Sequence, residues 1–222
     1  MKAMILAAGF GTRLKPLTDN LPKALIEYRS QSMLVHQITR LKEAGISEII
    51  INVHHHPDKM KEYIEENDFG VDIKLSMETG GILGTGGGIL NAETYFSDDD
   101  YFAVVNVDID TDFNIKKLIK FTLKEKPFAA LAIQKRQTKR GLVFDDNMIL
   151  TGLQSEDSPT DKIYAFNCMH VISSEMFKVG LEVKFTGIFD IYMQMIKAGK
   201  EIIGYDTGDC FFKDLGKIEN LK

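Results

Sequence analysis

Apolar and polar positions follow two alternating rhythms over the first 135 residues. The apolar run Ala3 to Ala8 reads as a buried strand. Residues 32–44 put Leu34, Ile38 and Leu41 on one helical face, with Gly45 as a stop. SEIIINV (47–53) predicts a second buried strand. Pro57 opens a helix through Asn67, with Met60, Tyr63 and Ile64 facing inward. VDIKLSM (71–77) alternates as a strand, and a glycine-rich run, GGILGTGGGIL, follows. YFAVVNVDID (101–110) predicts a strand ending in carboxylates, NIKKLIKFTLKE a helix, and FAALAIQ (128–134) a strand. This alternation predicts an α/β protein whose central sheet is mostly parallel, with helices on both faces. After residue 135 the rhythm changes. GLVF and MILTGL flank Asp145-Asp146-Asn147 as a hairpin, and KIYAFNCMHVIS (162–173) is a longer strand. A helix near 186–198 ends at Gly199, EIIGYD forms a strand, and CFFKDLGKIENL holds a short strand and a helical start. These elements predict a small antiparallel β addition. No Pro- or Ser-rich linker divides the chain, so residues 1–222 read as one domain.

Composition narrows the picture without deciding it. A chain of 222 residues, 44% hydrophobic and 27% charged, suits a soluble domain with a substantial core. A net charge of -5 does not suggest a nucleic-acid footprint. No run approaches the roughly 18 apolar residues of a membrane span. Lys2 followed by AMILAAG is too short an apolar run for a secretion signal and opens directly into GTRLKP. Cys168 and Cys210 have no C-x-x-C spacing, which reads as reduced thiols in a cytoplasmic protein.

Candidate chemistry begins where the first strand stops. Gly9 and Gly11 let the backbone turn sharply and approach a ligand closely. The amides of such a turn, with Thr12 and Arg13, suit a polyphosphate, and Lys23 adds a second cation at the loop's far end. This is not the dinucleotide fingerprint, because position 14 is Leu14 rather than glycine, and no G-K-[ST] follows as in a P-loop. In open α/β sheets ligands lie beyond the carboxyl ends of the strands. The glycine loop, the glycine cluster near 80–88 and the carboxylates at 108–112 all follow strands, so they should converge on one rim.

The pattern L-x-x-G-x-G-T-R-L-x-P-L-T…P-K closely resembles the sugar-1-phosphate nucleotidyltransferases, the nucleotide-sugar pyrophosphorylases. It resembles in particular the small bacterial members that act on mannose 1-phosphate or N-acetylmuramate 1-phosphate. The resemblance implies a Rossmann-like three-layer nucleotidyltransferase fold. It also implies a Mg²⁺-dependent reaction of a nucleoside triphosphate with a sugar 1-phosphate, giving a nucleotide-sugar and pyrophosphate. Residues 1–127 would then form the nucleotide half and 128–222 the sugar-phosphate half. Arg13 and Lys23 would be catalytic. Leu6, Ala7, Ala8, Gly9, Gly11 and Thr12 would contact the nucleotide. ETGGILGTGGGIL is similar to the family's nucleobase and ribose segment, which implies base contacts from Glu78 and from the backbone of Gly86 and Gly87. NVDID matches the strand-end motif N-G-D with Val107 for glycine, and FKDLGK matches W-x-D-x-G-T with Phe212 for Trp and Lys217 for Thr. Asp108 and Asp214 would thus hold the metal. Asn106, Asn167 and Asp190 would face the sugar phosphate, Asn167 and Cys168 standing where the family often has a small pair.

Other features carry two readings each. His54-His55-His56 could bind a metal, yet adjacent residues of an extended segment point to alternating sides. KRQTKR (135–140) could pair with phosphate, but reads first as a solvated basic turn. Asp110 and Asp112 either assist the metal or solvate the strand end, and Asp190 either touches a sugar hydroxyl or is structural. Two rival functions remain open: a glycosyltransferase using Asp108-Ile109-Asp110 as a D-x-D metal motif, and a non-catalytic nucleotide-sugar sensor.

Overall fold

The structure is a computed structural model that describes residues 1–222, the side chain at position 161 excepted. Its strands are β1 (Ala3–Leu6), β2 (Glu27–Tyr28), β3 (Gln31–Ser32), β4 (Glu48–Val53), β5 (Asp72–Met77), β6 (Tyr101–Asn106) and β7 (Ile109–Thr111). β8 (Ala129–Gln134), β9 (Leu142–Phe144), β10 (Leu150–Leu153), β11 (Ile163–Ser173), β12 (Ile202–Asp206) and β13 (Phe212–Asp214) follow. The helices are α1 (Met33–Glu43), α2 (Pro57–Glu65), α3 (Gly84–Asn91), α4 (Glu93–Phe96), α5 (Ile115–Glu125) and α6 (Ile188–Lys197).

Nine strands form the main sheet. β5, β4, β1 and β6 run parallel in that order. β11 lies antiparallel to β6 on one pairing and to β8 on another, and β12 runs parallel to β8. β8 therefore points the same way as β6. The carboxyl ends of β1, β4, β6 and β8 share one rim, and the first half of β11 returns to it. The β9–β10 hairpin joins β11 at Ile163 and Tyr164.

Strand alternation builds two cores. Ala3, Ile5, Ile49, Ile51, Ala103 and Val105 face α1, α2 and α5. Met4, Leu6, Ile50, Phe102 and Val104 face α3, α4 and α6. Fully apolar strands are what a sheet covered on both faces requires. Local signals start the helices. The Ser32 hydroxyl accepts from the Val35 amide at 3.2 Å to cap α1, and Asn114 Oδ1 accepts from Lys116 at 2.9 Å to cap α5.

Two expectations change, and two features were not foreseen. β1 stops at Leu6 rather than Ala8, because the Ala7 amide donates to Asn52 Oδ1 at 2.7 Å instead of to a strand. The strand predicted over 101–110 breaks at Val107-Asp108, and its last residues become β7, paired with β13 in a separate two-stranded sheet. α3 starts within the glycine run, at Gly84. The β2–β3 hairpin turns through Arg29 and Ser30, both at positive φ, with no Gly or Asn to announce it.

The glycines of α3 explain a close approach. A side-chain carbon on Gly87 would stand 2.1 Å from the Lys184 carbonyl oxygen, and one on Gly86 would stand 2.9 Å from that of Gly187. Backbone cannot yield as a side-chain tip can. Gly87→Ala should cost about 1–3 kcal/mol through overpacking, read as a fall in Tm of roughly 2–4 °C per kcal/mol. Gly152→Ala is the control, because open space surrounds that position.

Candidate active site

A cleft of about 810 Å³ opens at the shared rim, and a smaller one of about 130 Å³ continues it toward the first loop. Leu6, Thr85, Asn106 and Asp108 line both. Gly11 starts the first loop's tight turn at φ +62, where a side-chain carbon would also stand 2.7 Å from Thr18. The Thr18 hydroxyl donates to the Gly11 carbonyl at 3.0 Å, and Thr12 to Leu14 form a single 3-10 turn that leaves Arg13 exposed. Ala8 and Gly9 line the smaller cavity beside Lys23.

Four charged groups meet at its floor. Lys23 Nζ lies 2.9 Å from Asp108 Oδ2, both side chains being largely buried. Arg13 Nη1 lies 3.5 Å from Asp214 Oδ2, in a more exposed pair. Asp214 arrives from the far end of the chain. β13 pairs with β7, and the Leu215 amide donates to the Asp108 carbonyl at 2.8 Å. A side-chain carbon on Gly216 would stand 2.9 Å from Asp108 Oδ2, 2.9 Å from Asp214 Oδ1 and 2.6 Å from Arg13 Nη2. Two carboxylates and a guanidinium thus converge on one point that only a glycine leaves open. An exposed ion pair contributes little to stability, and a buried one is offset by desolvation.

Several residues named from sequence stand behind the cleft rather than in it. Glu78 is buried. Its Oε1 accepts from Asn52 at 2.7 Å and its Oε2 from the Leu83 amide at 2.8 Å. The same Asn52 holds the Ala7 amide, so Glu78 ties the first loop to the start of α3. The amides of Gly86 and Gly87 both donate to the Thr186 carbonyl, at 2.9 and 3.2 Å. Asp190 Oδ2 accepts from the Gly187 amide at 3.0 Å and caps α6, away from the cleft lining. Asn167 is not among the residues that line the cleft either. It is fully buried, donates to the Thr207 hydroxyl at 3.0 Å, and accepts from Arg136 Nε and Nη2 at 3.3 and 3.1 Å.

The basic stretch at 135–140 is not simply a solvated turn. Arg136, Thr138, Lys139 and Arg140 line the cleft. The signal was available: the stretch follows the carboxyl end of β8, where the rule that located the other loops also applies. Phe166, Phe189 and Phe212 complete the wall; only Phe212 was named from sequence, as the residue standing for Trp in FKDLGK. Asp110 turns away. It accepts from the Tyr28 hydroxyl at 2.9 Å and pairs with Arg29 and Arg40, so it does not join Asp108 as a D-x-D pair. Asp112 Oδ1 accepts from the Phe211 amide at 2.8 Å. His54 Nδ1 is 3.0 Å from the Glu78 carbonyl, and Phe10 packs edge-on against His54 and His55.

Neutral groups line the inner cleft. Burial pushes the Cys168 thiol up to about 12, with Asp108 and Asp214 adding to the shift. Burial pulls His170 down to about 3, and its Nδ1 lies 2.6 Å from the Tyr192 hydroxyl.

The family model described as nucleotidyl transferase matches residues 2–154, and the chain belongs to that family. It is 41% identical over 124 residues to a mannose-1-phosphate guanyltransferase of Neurospora crassa, covering 54% of this chain and 34% of the relative. The chain thus spans about a third of the length of that relative. Its fold is shared with the inositol-1-phosphate CTP transferase of T. maritima at TM-score 0.83 and 14% identity, covering 100% and 91% of the two chains. A UDP-glucose pyrophosphorylase complexed with UDP-glucose gives TM-score 0.82 at 19% identity, covering 99% and 95%.

The buried His170 has a consequence for stability. The unfolded chain protonates this imidazole near its ordinary 6.5, the folded one only near 3. Between those values the unfolded state holds the extra proton, so stability is present above pH 6.5 and falls as pH drops. The loss should reach about 3 kcal/mol at roughly pH 4.5. Urea melts of His170→Phe should show a shallower acid slope than the wild type over this window.

Proposed function

We propose that this chain joins a nucleoside triphosphate to a sugar 1-phosphate, releasing pyrophosphate and a nucleotide-sugar. The observation that carries the reading is the convergence of Arg13, Lys23, Asp108 and Asp214 at one end of the cleft. The matched relatives suggest GTP and mannose 1-phosphate as the first pair to test. The nucleotide belongs on the first-loop side, in residues 1–127, and the acceptor against the wall supplied by residues 128–222. Free thiols at Cys168 and Cys210 support a cytoplasmic setting. No helix is long and apolar enough to cross a membrane among the described residues.

An oxygen of the acceptor phosphate attacks the α-phosphorus as the bond to the bridging oxygen breaks. A phosphate monoester has a second pKa of about 6, so no catalytic base is needed at neutral pH. The chain's work is alignment and charge neutralisation. Arg13 holds the departing pyrophosphate through its planar fork. Lys23 sits deeper and faces the reacting phosphates. Asp108 and Asp214 present hard oxygens around the space left by Gly216, a donor set that fits Mg²⁺ with substrate phosphates and water as its other ligands. When bound, Mg²⁺ supplies positive charge to the phosphates.

Pyrophosphate release across a matrix of triphosphates and sugar 1-phosphates tests the reaction. A matrix with no release, together with transfer of sugar from a nucleotide-sugar, would replace the proposal with glycosyl transfer. Arg13→Lys keeps charge but loses the fork, and kcat/KM should fall tenfold to a hundredfold, about 1.4–2.7 kcal/mol. Wild-type kinetics would take Arg13 out of the site.

Asp108→Asn and Asp214→Asn test the carboxylate pair. Each should remove most activity and raise the Mg²⁺ needed for half-maximal rate, and the double variant should be little worse than either. Two singles with near-normal kcat and an unchanged Mg²⁺ requirement would overturn the shared site.

A further inference from the structure

Arg136 is held in a way that a solvated arginine is not. Its Nε and Nη2 donate to Asn167 Oδ1, and Nη2 also donates to the Phe166 carbonyl at 2.8 Å. The guanidinium carbon lies 4.2 Å from the centre of the Phe212 ring. Nη1 has no hydrogen-bond partner among the described residues, yet the side chain lines the cleft with Asp108 and Asp214. One edge of the fork is fixed to the protein, one face is stacked, and the remaining donor end is open to the cavity.

The bracing behind it is costly to build. Asn167 is fully buried, and Thr207 nearly so. Buried polar groups are unfavourable unless satisfied. Here Asn167 donates to Thr207, whose hydroxyl in turn donates to the Ile133 carbonyl at 3.1 Å. Gln134 Nε2 pins the next loop through the Gly208 and Cys210 carbonyls, at 2.8 and 2.7 Å. This polar chain joins β8, β11 and the loop after β12, and it ends in a single cation aimed at the cleft.

We propose that Arg136 is the anion receptor for the acceptor, binding the phosphate of the incoming sugar 1-phosphate, with Asn167 as its positioning residue. The assignment rests on the function proposed above. Arg13 and Lys23 come from the loop after β1, whereas Arg136 comes from the loop after β8. A fixed guanidinium suits a phosphate monoester because it offers full positive charge and the Nη1 N–H donors without further loss of side-chain freedom. Lys139 and Arg140 line the same cleft but are exposed, whereas Arg136 is half-buried and held by Asn167, the Phe166 carbonyl and the Phe212 ring.

Equilibrium binding separates this assignment from the reaction itself. Calorimetric titration with mannose 1-phosphate, N-acetylglucosamine 1-phosphate and inorganic phosphate would be run on the wild type, Arg136→Gln, Arg136→Lys and Asn167→Ala. GTP would be titrated beside them, and thermal melts would check folding. Arg136→Gln should weaken binding of the phosphate probes at least tenfold and leave GTP within twofold. Arg136→Lys should lose less, since it keeps the charge. Asn167→Ala should lie between wild type and Arg136→Gln, because the cation remains but is no longer aimed. If Asn167→Ala does not fold, the two Arg136 variants decide the question. Phosphate binding unchanged in Arg136→Gln, equal losses for GTP and the phosphate probes, or no phosphate binding in the wild type would each overturn the assignment. Loss of phosphate binding in Arg136→Gln without pyrophosphate release in any assay would sink the proposed reaction and leave the anion receptor. Turnover with an unchanged acceptor KM in Arg136→Gln would do the reverse.

Discussion

The site depends on one contact between distant parts of the chain. The Leu215 amide donates to the Asp108 carbonyl at 2.8 Å, and Leu215 itself is buried in the core beside Val107 and Ile109. Through this contact and the β7–β13 ladder, the C-terminal segment is docked on the end of β6. Burial of Leu215 offsets the cost of holding two carboxylates close together, which electrostatics alone opposes. Gly216 then leaves the space between them open. Val107 takes the place of the family's glycine without disturbing this, because its side chain turns into the core rather than the cleft.

The rest of the cleft follows from strand direction. Parallel pairing of β1, β4 and β6, and the reversed β11 between β6 and β8, send the residues with chemistry to one rim. Two of these strand ends deliver cations through the loops that follow them, Lys23 after β1 and Arg136 after β8. Asn52, at the end of β4, delivers none; it braces Ala7 and Glu78 instead. The protein therefore spends buried polar side chains on geometry at two places, and each holds a loop that borders the cavity.

Conformational permission and close packing must be kept apart when glycines suggest a ligand. Gly11, at φ +62, is needed for the turn of the first loop. Gly86 and Gly87 have ordinary helical backbone, and their small size serves the contact of α3 with residues 184–187. A glycine-rich run gives the same letters for both purposes.

Sequence by itself determined the alternation of elements, the two-faced sheet, the first loop, and the candidacy of Arg13, Lys23, Asp108 and Asp214. Those features depend on local chemistry: apolar periodicity, backbone freedom at Gly11, and charge beside strand ends. Tertiary structure alone decided which polar side chains see the cavity. Asn167, Glu78 and Asp190 are as polar as Arg136, but each has its hydrogen bonds consumed by partners from 3 to 40 residues away. For Asn167 and Glu78 those partners are set by strand register and by the bulge in β11 between Phe166 and His170, whereas Asp190 is taken up by the start of its own helix. A hydrogen bond across 26 or 40 residues leaves no periodic mark on the sequence, so the inward or outward sense of Glu78 and Asn167 is legible only once the chain is folded.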